Sequence, residues 1–279
     1  MPFTPSHAVV ALPFIRTPLL PAAIAIGAMT PDLPLFLRST PLTYQMTHAY
    51  PLLTTLIAFV LLVLWYALVR PAVRELSPTA LARRLPEGWD ATGRAAWESV
   101  HAPRPGARAR VWREPSTFAI LVALSLLLGV LSHIAWDAFT HEGRWGTRLI
   151  PALGELWGPL VGYKWLQHGS SIIALVVLAI WGARWLARRV PVASVDRVLP
   201  RWVRIAWWVS LPVVLVAGWG VGLAAYGPLT ATWTAQHLAY RVLPPACAIW
   251  GVLTLVLCVV IVVRRRRAQR HEPGETVAR

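Results

Sequence analysis

The chain has 279 residues, of which 56% are hydrophobic and 14% charged, with a mean hydropathy of +0.54. Soluble domains carry about 25% charged residues, so this balance excludes an ordinary water-soluble protein and indicates a multi-pass membrane protein. The net charge of +15 would suggest nucleic acid in a soluble chain, but here the arginines stand in blocks beside long apolar runs, as membrane orientation is encoded, and no nucleic-acid partner is expected.

The opening stretch, MPFTPSHAVVALPF, carries three prolines and lacks the basic start of a secretory signal, so it is expected to belong to the mature protein. His7–Phe14 and Leu19–Met29 are apolar but each too short to cross a bilayer, and Arg16-Thr17-Pro18 interrupts them. They read as two short helices folded back on each other, which returns Asp32 to the side where His7 began. A single kinked span, the competing reading, would separate those two residues.

Five runs are long enough to span a bilayer, at about 52–69, 117–137, 171–187, 205–226 and 242–263. None carries a charge at its centre. The segment 70–113 holds nine arginines, 184–204 holds six, and RRRR follows the last span at 264–267. The connections 138–170 and 227–241 hold only Arg144, Arg148, Lys164 and Arg241 as basic residues. The positive-inside rule therefore places the Arg/Pro-rich loop 70–116, the segment 184–204 and the C-terminus in the cytoplasm, in a multi-pass protein of the cell membrane.

The expected fold class is all-α: about five transmembrane helices plus an N-terminal short-helix hairpin. The expected organisation is a metal-site membrane domain over 1–190, two further transmembrane helices over 191–263, and a basic disordered tail over 264–279. Gly218 and Gly222 form a GxxxG in the fourth span, a hint of close helix packing. Cys247 and Cys258 lie roughly 16 Å apart along one helix at ~1.5 Å per residue and do not bridge within it.

The polar residues converge on one side of this topology. His133, Asp137 and His141 recur at four-residue spacing at the end of the second span, so they share one helix face. His48 precedes the first span and His168 the third, while His7 and Asp32 flank the hairpin. All fall near the non-cytoplasmic boundary. A lone His-x-x-x-Asp is most often a hydrogen-bonded polar pair. Imidazoles and carboxylates drawn together at a membrane boundary, however, need pairing, water or a metal, and they are the ligand set that suits zinc.

The stretches MPFTPSH (1–7), GAMTPDLPLF (27–36), THAYP (47–51), GVLSHIAWDAFTHEG (129–143) and LQHGSS (166–171) resemble the uncharacterised bacterial membrane family called domain of unknown function 4184. The same motifs are distantly similar to membrane-bound metal-dependent hydrolases and to the helical zinc-dependent phospholipase C fold. The resemblance implies a ligand set of His7, Asp32, His48, His133 and Asp137, with His141 and His168 as further candidates. It departs at position 172, where an isoleucine stands in place of a glutamate ligand, so one or two divalent ions, zinc above others, are expected rather than three.

The function this implies is an integral-membrane metal-dependent hydrolase acting on a phosphoester or lipid-like substrate at the non-cytoplasmic face, with Asp32 or Asp137 as general base. The alternative is a non-enzymatic membrane protein whose His/Asp cluster is structural or relays protons. A transporter is disfavoured, because no pseudo-symmetric halves appear.

Overall fold

The computed structural model describes residues 3–38, 40–101 and 115–271. Among these the chain is helical almost throughout, and five helices are long and apolar enough to cross a membrane. We label the helices that matter below as α1 (Pro21–Met29), α2 (Tyr44–Ala49), α3 (Pro51–Leu76), α4 (Pro115–Thr140), α5 (Gly162–Ala187), α6 (Arg201–Tyr226) and α7 (Ala235–His271). The described strand is one two-residue antiparallel pair, β1 (Leu156–Trp157) with β2 (Leu160–Val161). The five-span, all-α expectation is met.

The chain divides into two compact units. The first comprises residues 1–34, 39–63 and 101–188. It opens with a 3₁₀ helix, Thr4–Phe14, which turns back onto α1 as the expected hairpin. Thr17 ties the turn: its hydroxyl donates to the Phe14 carbonyl (2.8 Å) and accepts from the Leu19 amide (3.3 Å). The first amides of α1 lack helical partners, and the Leu20 N–H finds one in Ser125 Oγ of α4 at 2.9 Å.

Hairpin and span then pack backbone to backbone. A Cβ at Gly27 would fall against the Leu126 carbonyl, and one at Gly129 would lie 2.7 Å from the Ala28 nitrogen. Only glycine permits this approach. Helix α2 is capped by Thr43, whose side chain accepts the Met46 amide, and Thr47 hangs the helix from the Pro31 carbonyl at 2.8 Å.

Helix α5 begins at Gly162, nine residues before the expected start of the third span. Hydropathy reports where a helix turns apolar, whereas the polar first turns GYKWLQHGSS are helical too. His168 therefore lies within this helix rather than before it.

The second unit comprises residues 35–38, 64–100 and 189–279. Helices α6 and α7 pack through the GxxxG face, with Gly222 against Leu238 and Val242, and Gly218 against Ala246. Beside them Glu75, fully buried, accepts from the Val198 and Leu199 amides (3.0 and 3.2 Å) and lies 3.5 Å from Arg204 and Arg265. Asp90 pairs with Arg74 and, at 3.1 Å, with Arg265. Arginines that read as orientation signals thus also close a partly buried ion network.

Helix α7 continues through RRRR to His271, so the tail expected to be disordered from 264 is helical to that point. The rest of that tail, 272–279, and the part of the basic loop at 102–114 lie outside the described residues. Cys247 and Cys258 are both free.

Candidate metal centre

The site lies in the first unit, where α4 ends, α5 begins and the hairpin closes. On α4, His133 and Asp137 are one turn apart and both buried. His133 Nδ1 lies 2.7 Å from the Ala28 carbonyl. A carbonyl only accepts, so Nδ1 carries a proton and Nε2 is the nitrogen left to present a lone pair to a metal. The close passage of α1 over Gly129 is what brings that carbonyl within reach.

His48 is set in the same way by its own helix, with Nδ1 2.8 Å from the Tyr44 carbonyl and Nε2 turned inward. His7 comes from the 3₁₀ helix, its ring centroid 4.1 Å from that of His133. Asp32 follows α1 and is fully buried.

Each carboxylate is anchored through one oxygen. Asp32 Oδ2 accepts from Thr4 Oγ1 at 2.7 Å, and Asp137 Oδ2 accepts from Tyr44 Oη at 2.6 Å. The second oxygens, Asp32 Oδ1 and Asp137 Oδ1, have no hydrogen-bond partner among the described residues, and neither have His7 Nε2 and His133 Nε2. Four buried polar atoms left unpaired in one place is an expensive arrangement, on the order of 1–3 kcal/mol each. A shared cation removes the cost.

The spacings fit such an ion. Two ligands on one tetrahedral zinc, with bonds near 2.0–2.2 Å, stand roughly 3.4 Å apart. His133 Nε2 lies 3.4 Å from Asp137 Oδ2 and 3.7 Å from Asp32 Oδ1, and His48 Nε2 lies 3.2 Å from Asp137 Oδ2. His7, His133 and Asp137 each offer one ligand atom, all within 4.8 Å of one another, so this group can hold a metal ion.

The electrostatics agree. Burial, reinforced by His133, pulls His7 down to about 3, which leaves it neutral and available as a ligand at neutral pH. Burial pushes the Asp32 carboxyl up, against the opposing pull of His133. Both shifts favour the uncharged forms, the response of groups buried without a counter-ion.

Two candidates sit differently. His141 is half-buried, its Nδ1 3.6 Å from Asp137 Oδ2 and 3.3 Å from the Asp137 carbonyl. Its Nε2 receives Gln167 Nε2 at 3.4 Å, so both ring nitrogens are engaged and the ring braces Asp137 from the rim. His168 is exposed on α5 and none of the site's hydrogen bonds or ion pairs reaches it; its buried neighbour Gln167 turns inward instead. One residue along a helix rotates the side chain by about 100°, so His168 and Gln167 present different faces of α5.

Sequence reasoning missed Tyr44, Thr4 and Gln167. The first two carried a signal, since Tyr44 precedes His48 by one α-turn and Thr4 precedes His7 by one 3₁₀ turn. Arg144 stands over the Tyr44 ring at 5.5 Å, which places a cation at the rim.

A family model described as "Domain of unknown function (DUF4184)" matches residues 1–263. No curated protein and no solved structure matches the chain.

Proposed function

The chain belongs to the DUF4184 family, whose description assigns no activity, and we propose from its site that it is a membrane-embedded metal-dependent hydrolase. The observation that carries this reading is the set of four buried atoms without a hydrogen-bond partner among the described residues, His7 Nε2, His133 Nε2, Asp32 Oδ1 and Asp137 Oδ1, together with the close grouping of His7, His133 and Asp137. His7, His133 and Asp137 would hold the ion, with Asp32 and His48 beside them. Imidazole with carboxylate favours zinc over magnesium or calcium, which prefer oxygen alone.

When bound, such an ion lowers the pKa of water and polarises a phosphoryl or acyl oxygen. The chain's own residues do the rest. Thr4 fixes Asp32 through Oδ2 and leaves Oδ1 to accept a proton from water, the task of a general base. Tyr44 holds Asp137 in place, and the carbonyls of Ala28 and Tyr44 keep the His133 and His48 rings turned inward. Arg144 at the rim suits an anionic group such as a phosphate.

The site lies at the end of α4 and the start of α5, a boundary the arginine distribution assigns to the non-cytoplasmic face of the cell membrane. A phosphoester or lipid-like ester fits that place. A second reading rests on the 3.2 Å contact between His48 and Asp137: a proton there would make it a charge-assisted pair in a non-enzymatic relay.

Purified, zinc-loaded protein assayed against phospholipids and soluble phosphoesters tests the proposal. Turnover of at least one substrate, abolished in Asp32→Asn with the metal retained, is the expected result. No turnover by a metal-bearing protein across the panel would favour the relay.

A further inference from the structure

The 3₁₀ helix, α4 and α5 enclose a groove of about 620 Å³. Ser6, His7 and Ser170 line one end, and Val10, Pro13 and Val177 the other. From His7 to Pro13 is ~12 Å at 3₁₀ rise, and from Ser170 to Val177 ~10 Å at α rise, both running away from the site. That α5 starts at the site follows from Gln167 on His141 and from Ser171 Oγ, which accepts the Phe3 amide at 3.2 Å.

Three features identify the occupant. No charged side chain lines the groove, so what lies in its deep end is apolar. Its wall includes Ile173, 65% exposed, and Val177, 41% exposed, so it opens sideways where helices meet lipid. Its inner end is His7, a member of the His/Asp group with an unpartnered Nε2. An occupant must therefore present hydrocarbon and a polar group in series.

We propose that the groove seats one hydrocarbon chain of a membrane-lipid substrate, which enters from the bilayer and brings its headgroup ester to the His/Asp group. This rests on the hydrolase reading and specifies its substrate as a bilayer-resident amphiphile. A soluble phosphoester would leave the groove unused.

The test uses the full chain in lipid nanodiscs containing a phospholipid with a mid-chain diazirine. Photolysis and peptide mapping compare labelling of Val10, Ile173 and Val177 with that of Val213 and Val216, which are 57% and 71% exposed on α6. The proposal predicts several-fold excess labelling in the groove, lost in Ala174→Trp, which fills it, while metal content stays at the wild-type level. Val10→Phe serves the same purpose if Ala174→Trp misfolds. Labelling no higher than on α6, or an excess that survives filling, overturns the proposal. Excess labelling without turnover of any lipid or phosphoester overturns the hydrolase reading and keeps the lipid seat; turnover without excess labelling does the reverse.

Discussion

Gly129→Ala perturbs the candidate centre without touching any ligand. The added Cβ would fall against the Ile24 carbonyl oxygen and lie 2.7 Å from Ala28 N, both backbone atoms that no rotamer change moves aside. Restoring ordinary contact with the Ile24 oxygen shifts α1 outward by about 1 Å. The His133 Nδ1···Ala28 carbonyl bond, 2.7 Å in the native chain, then passes the ~3.2 Å limit of a good N–H···O bond. Overpacking costs about 1–3 kcal/mol, against a gain of about 1 kcal/mol for replacing a helical glycine, so the net stability loss is at most about 2 kcal/mol and the protein still folds. Losing the partner of a ligating histidine typically costs about 10–100-fold in metal affinity. Competition titration of zinc against a chelator should show that loss in Gly129→Ala and none in Leu124→Ala, a lipid-facing change on the same helix. A folded Gly129→Ala protein with wild-type zinc affinity would refute the link between helix approach and ring orientation.

Three further outcomes follow from the geometry. Tyr44→Phe removes the 2.6 Å bond to Asp137, worth about 1.5–3 kcal/mol to a charged acceptor, and should weaken metal retention on chelator titration while leaving the fold intact. His168→Ala should leave metal stoichiometry at the wild-type level, whereas Gln167→Leu, which frees the His141 ring, should lower affinity; equal effects would place His168 back in the site. Glu75→Ala leaves Arg204 without its carboxylate, Arg265 with Asp90 alone, and the Val198 and Leu199 amides without their acceptor, a loss of about 2–4 kcal/mol seen as a lower thermal midpoint in detergent, with metal content per folded chain unchanged.

Much of the fold was legible because membrane spans are written in composition: apolar length sets the helices. The hairpin was legible from Arg16-Thr17-Pro18, which no continuous helix accommodates well. The clustering of His7, Asp32, His48, His133 and Asp137 was readable from topology and family likeness together. What stayed hidden depends on rotation about helix axes. His168 and Gln167 are neighbours in sequence, and only the azimuth of α5 decides which faces inward. Tyr44 and Thr4 gave weak signals because their hydroxyls matter only once a carboxylate from another segment arrives. The role of Gly129 was hidden for the same reason, since its partner Ala28 lies a hundred residues earlier. Hydropathy likewise failed at both ends of the polar-to-apolar gradient, missing the first turns of α5 and the helical continuation of RRRR in α7.

The most direct test of the central claim is the metal content of protein purified without chelators, measured by elemental analysis beside His133→Ala and Asp137→Ala. The account predicts about one or two divalent ions, zinc foremost, per wild-type chain, falling to trace levels in both variants while each remains folded. Trace metal in the wild type, still trace after zinc is supplied and no lower in the variants, would contradict it.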